Sequence, residues 1–83
     1  MDEITFEELY NGIIPAGWNK LEIKPLVTGF YDTLCIVGSV NAKVMTLTKM
    51  FKVYDYTDDN GDPVGRWMEG DWIQVKAWKE RDR

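Results

Sequence analysis

"YDYTDDNGDPVGRW", Tyr54 to Trp67, decides how the rest of the chain is read. Asp58, Asp59, Asn60 and Asp62 crowd around Gly61, and Tyr54, Tyr56 and Trp67 flank them. Read as a calcium loop with Gly61 at position 6, the stretch puts Asp58 and Asn60 correctly at positions 3 and 5. Tyr56 then falls at position 1 and Trp67 at position 12, where carboxylates are needed. No metal is therefore expected. Read as a hairpin, Asn60-Gly61 is a strong signal for a two-residue type I′ turn. That turn would set Asp55 against Arg66, Tyr54 against Trp67, Val53 against Met68 and Lys52 against Glu69. Two opposite-charge pairs, one aromatic pair and one apolar pair then coincide, each contributing roughly 0.2–1 kcal/mol. The hairpin reading is preferred.

Outward from the hairpin, "LCIVGSVNAKVMTLTKMFKVYDYT" is rich in β-branched and aromatic residues and free of proline. Its apolar phase shifts along the run, so a bulge at Gly38 and a connection at "TLTK" are expected. "DWIQVKAW" supplies a further strand, and a second tight turn at Glu69-Gly70 would pair Trp67 with Trp72 and Val64 with Val75. Ahead of this run, "TFEELYNG" reads as a short helix: Thr5 caps it, Glu8 completes a capping box and Gly12 ends it. "KLEIKPLV" reads as an edge strand because Pro25 lacks a ladder donor, and "TGFYDT" as a turn. The expected fold is mostly β: a small OB-like barrel or a strongly twisted antiparallel sheet of about five strands with one N-terminal helix. The 83 residues form a single domain: helix at 5–12, connection and edge strand at 13–33, main meander at 34–78 and a frayed tail at 79–83.

Composition narrows the chemistry. There is no histidine, which removes the commonest general base and metal ligand. Cys35 is the single cysteine; it sits in an apolar run and reads as a core residue. Neither a G-x-G-x-x-G nor a P-loop pattern occurs. A binding protein with no cofactor is expected rather than an enzyme. The net charge is −4. Asp2, Glu3, Glu7 and Glu8 account for all of it, and from Tyr10 onward ten basic residues balance ten acidic ones. No apolar run approaches the roughly 18 residues of a membrane span, and the acidic start lacks a secretory n-region, so a cytoplasmic location is expected.

On the expected register, one sheet face carries Phe51, Val53, Val64, Met68, Ile73, Val75 and Ala77 and forms the core. The other carries Tyr54, Tyr56, Trp67, Trp72 and Trp78, interleaved with Lys52, Gln74 and Lys76. Two readings of this second face stand side by side. The helix and "IIPAGW" cover it as a second small core, or it is an exposed platform on which bases stack between basic side chains. Tyr54, Tyr56, Trp67, Trp72, Trp78, Lys52 and Lys76 are the candidate contacts, with Arg66 near phosphates unless a bridge to Asp55 holds it. The same rings suit a protein partner.

The order "CIVGSVNAKV", "MFKVYDYTDD", "EGDWIQVKAW" resembles OB-fold nucleic-acid-binding modules, closest to the OB module of Gram-positive replicative DNA polymerases. Ile36, Gly38, Val40 and Asp55-Tyr56-Thr57-Asp58 carry the likeness over about half the chain. It implies single-stranded nucleic acid near Tyr54, Tyr56 and Trp67. No fifth strand follows "GDW", and "WNKLEIKPLV" is the segment available to replace it. "TFEEL", "GWN", "NGDPVGRW" and "DWIQV" are similar in order to the phage Thoeris anti-defence 2 family. That family has a longer Ser- and Asp-containing stretch between its W and its DW, so its ligand site does not carry over. The alternative function is a small phage or mobile-element protein that inhibits or modulates a host protein, as a monomer or a homodimer.

Overall fold

The first ordered element is set by its caps. In the computed structural model, which describes residues 4–81, helix α1 spans Phe6–Tyr10. The Thr5 hydroxyl accepts from the Glu8 amide at 3.2 Å, and the Thr5 amide donates to the Glu8 carboxylate at 3.1 Å. This is the expected capping box. At the other end the Gly12 amide donates to the Leu9 carbonyl and the Ile13 amide to the Glu8 carbonyl. Gly12 takes φ +90°, as a Schellman ending requires.

Five strands follow: β1 Asn19–Lys20, β2 Gly29–Val37, β3 Lys43–Thr57, β4 Pro63–Trp67 and β5 Ile73–Lys79. All pairings are antiparallel, in the order β1-β5-β2-β3-β4. Strands β2, β3 and β4 form a meander, and β5 returns beside β2. That is the 4-1-2-3 order of a Greek key. Two features show that the sheet curls into a half-barrel. Fifteen residues of β3 would extend about 50 Å if straight, at ~3.3 Å per residue, but the longest dimension of the molecule is 37 Å. Further, β4 and β5 are three strand spacings apart in the order, about 14 Å on a flat sheet, yet the Trp67 and Trp78 ring centroids are 6.2 Å apart.

Several expectations change. "TLTK" is not a connection: Thr46 to Lys49 lie inside β3, paired with β2. "TGFYDT" is not a turn, since β2 begins at Gly29. Of the expected edge strand only Lys20 is sheet, in β1 beside β5. Of "WNKLEIKPLV", Asn19 and Lys20 form β1, which pairs with β5 at the end of the sheet. The expected 79–83 tail loses Lys79 to β5, and its last two residues lie outside the described range. No β4–β5 hairpin forms at Glu69-Gly70, because β5 pairs with β2 and β1. Glu69 links the sheet another way: its carboxylate accepts from the Val75 amide at 2.7 Å and its carbonyl from Lys49 Nζ at 2.9 Å. Val75 adjoins the irregularity at Leu34/Cys35 in the β2–β5 ladder, where a buried amide needs a substitute acceptor.

The sheet carries a core on each face. On the outer face Leu9 packs with Leu34, Ile36 and Ala77, with Ile14, Trp18 and Val44 around them. Inside the curl lie Phe51, Val75, Cys35, Thr33 and Trp78, all buried. The Thr33 hydroxyl donates to the Leu47 carbonyl at 2.7 Å. Gly65 makes room for the Phe51 ring, because a Cβ there would lie 2.5 Å from Phe51 Cζ.

Candidate nucleic-acid interface

The β3–β4 turn determines which rings face outward. Its loop has three residues, Asp59, Asn60 and Gly61, not two. The Gly61 amide donates to the Asp58 carbonyl at 3.0 Å, and the Asp58 amide to the Asp62 carbonyl at 2.9 Å. Gly61 sits at φ +83°, the left-handed position of a type I turn with a G1 bulge. The Asp58 carboxylate accepts from the amides of Asn60 and Asp62 at 2.9 and 3.0 Å. Those bonds favour the wider loop. Among the described residues no group of three Asp, Glu or Cys side chains has a metal-holding arrangement.

One residue more in the loop reverses the face of every ring beyond it. The loop alone would set Trp67 opposite Val53; β3 holds two further residues in an irregularity between Val53 and Thr57, and Trp67 stands opposite Phe51, Arg66 opposite Lys52 and Gly65 opposite Val53. The expected pairs Tyr54–Trp67, Asp55–Arg66, Val53–Met68 and Lys52–Glu69 do not form. Between Val53 and Thr57 the register shifts again, so Tyr54, Asp55 and Tyr56 face the single residue Val64.

The expected aromatic platform is thus divided. Trp67 and Trp78 turn inward and make edge contacts with Tyr31 at 6.0 and 5.3 Å, while Phe51 meets Trp67 at 4.9 Å. The Trp78 indole N–H donates to the Ile23 carbonyl at 2.6 Å. Neither α1 nor "IIPAGW" covers these rings; both pack on the opposite face. Trp72 projects at the far end of the sheet, 72% exposed. Lys76 lies against α1, its ammonium 6.0 Å from the Tyr10 ring.

Lys52, Tyr54 and Tyr56 remain together on the outer face. The tyrosine rings are 5.6 Å apart at 34°, and Lys52 Nζ is 5.2 Å from the Tyr54 centroid. Tyr56 is 58% exposed. Arg66, directly across from Lys52, adds a second cation to this face. Phe30 adds a third ring: it pairs with Met50 and is exposed. Sequence reasoning misses Phe30 because "TGFYDT" carries turn chemistry. Alternation of Phe30, Asp32, Leu34 and Ile36 with Tyr31, Thr33 and Cys35 was the available signal.

The surface that results sets two tilted, neighbouring tyrosine rings beside two cations on one strand face. Comparison with family models, curated proteins and solved structures finds no match to this chain.

Proposed function

We propose that this chain is a non-enzymatic, OB-like module that binds single-stranded nucleic acid on the outer face of β3 and β4. The observation that carries the reading is the pair of half-buried Tyr54 and exposed Tyr56 with Lys52 beside it. Bases stack on such rings for roughly 1–3 kcal/mol each, and adjacent ammonium groups take the phosphates. The strand order supports it. Counted from β2, the second and third strands of the Greek key are β3 and β4, the pair whose face takes oligonucleotides in OB-folds. Phe30 and Arg66 extend the same surface.

Fluorescence anisotropy with a labelled homothymidine oligonucleotide tests this at low salt. Tyr56→Ala and Tyr54→Ala should each weaken binding by roughly 5- to 150-fold, the equivalent of about 1–3 kcal/mol. Equal affinity of Tyr56→Ala and the parent chain would overturn the proposal. A second reading, a small phage or mobile-element protein that inhibits or modulates a host protein, draws on Ile23, Leu26 and Val27. These side chains are exposed on the segment before β2, Leu26 by 87%. A pull-down in which Leu26→Asp abolishes capture of one stoichiometric partner would support it.

A further inference from the structure

Trp72 has an unusual backbone. Its φ is +59°, and no other described non-glycine residue has a positive φ. A bulky residue there is strained by on the order of 1–2 kcal/mol. The Gly38 amide holds the turn by donating to the Trp72 carbonyl at 2.8 Å. The ring gains no burial in return, being 72% exposed. It forms one wall of a cleft of about 250 Å3 shared with Ile36, Gly38, Ile73 and Gln74.

The same outer face continues along β5. Gln74, opposite Ile36, is exposed beside Trp72. Lys76 follows, and with Lys20 it lines a second hollow of about 290 Å3 at the end of α1. Lys20 pairs with Ala77, so the two lysines are diagonal neighbours across β1 and β5. A ring, an amide and two ammonium groups thus follow one another over roughly 13 Å, at ~3.3 Å per residue. Asp71 precedes Trp72 in the chain and Glu22 lines the hollow on the Lys20 side. Of the charged side chains that line this hollow, two are lysines and one, Glu22, is acidic.

We infer that Trp72, Gln74, Lys76 and Lys20 form a second station for the same strand of nucleic acid. One base stacks on Trp72 with its edge on the Gln74 amide, and a phosphate lies between the lysines. This inference rests on the nucleic-acid reading of Tyr54 and Tyr56. Trp72 neighbours Ile73, which aligns through Val37 with Lys43 at the start of β3; the tyrosines lie near its end. The stations are separated by about 36 Å of strand contour at ~3.3 Å per residue. A short oligonucleotide occupies one station at a time, and a long one engages both, raising its affinity through effective concentration.

A homothymidine series from about two to about twelve nucleotides tests this, with an expected step in affinity of at least about tenfold at the spanning length. Trp72→Gly should remove the step and Trp72→Phe should keep it. The glycine chain should melt no lower than the parent, because glycine accepts the left-handed backbone. Lys20→Gln with Lys76→Gln should lower the step and its salt dependence. A step that survives Trp72→Gly, or binding through Tyr54 and Tyr56 with no step, overturns the second station and leaves the first standing. Absence of binding at every length overturns both.

Discussion

Gly65 and Phe51 show how closely single positions are fitted. The phenyl ring occupies the space where a Gly65 side chain would stand, so Gly65→Ala forces the ring off its rotamer. Overpacking of this kind destabilises by roughly 1–3 kcal/mol. Chemical denaturation should show that loss, and Phe51→Leu in the same chain should recover part of it. Cys35 makes a different prediction. Its thiol is fully buried, 3.1 Å from the Thr33 hydroxyl, and burial pushes its pKa above the ordinary 9.0. Burial first, and then the Glu80 charge, raise Tyr31 above 10.0. Both groups bind their protons more tightly in the folded chain. Their contribution is complete below the unfolded-state values and is lost as pH rises through the folded ones. Stability should therefore decline from about pH 9 upward, and Cys35→Ala should flatten the first part of that decline. A thiol reagent at pH 8 should label Cys35 only at the rate of unfolding. Rapid labelling of the native chain would contradict this burial.

Among the elements, α1 was legible almost residue by residue, because a capping box and a glycine ending are local chemistry. Thr5→Ala should cost about 1 kcal/mol, visible as a lower thermal midpoint with little change in strand signal. The β3–β4 hairpin was legible in its existence but not in its register. Asn-Gly favours a two-residue turn, yet the Asp58 carboxylate binds two amides that only the three-residue loop presents. That single residue separates Tyr54 from Trp67 and sends the tryptophan into the core. Asp58→Ala removes both bonds, so it should destabilise the hairpin and broaden the Tyr54 and Tyr56 proton resonances. Unchanged resonances would show that Gly61 alone sets the loop. The start of β2 was missed for another reason: Thr28 and Gly29 carry turn chemistry, and only pairing with Phe51 makes Gly29 a strand residue.

At the scale of the whole molecule, the mostly β class followed from composition and alternation, whereas the strand order did not. No local signal states that β5 leaves β4 and returns to β2. Closure of the curl decides it, by bringing Trp78 against Tyr31 and Trp67. Charge acts at this scale too. The acidic excess lies before Tyr10, and the remainder is balanced. Few phosphates can be neutralised, so nucleic-acid affinity should fall only gently between 50 and 200 mM salt, with a slope near that of about three or four phosphate contacts. A slope of zero would remove Lys52, Arg66, Lys20 and Lys76 from the interface. The β5 return also orders events in time. The β2–β3 and β3–β4 pairs join neighbours in the chain and can zip early, but β5 docks across a separation of about forty residues, after most of the loop entropy has been lost. Between those two moments the nascent sheet has β2 as a bare edge, with Leu34, Cys35 and Ile36 open to any passing strand. Refolding yield should therefore drop with protein concentration. The fault would lie in the interval before β5 arrives, in a chain whose finished form covers that edge from Asp32 to Val37.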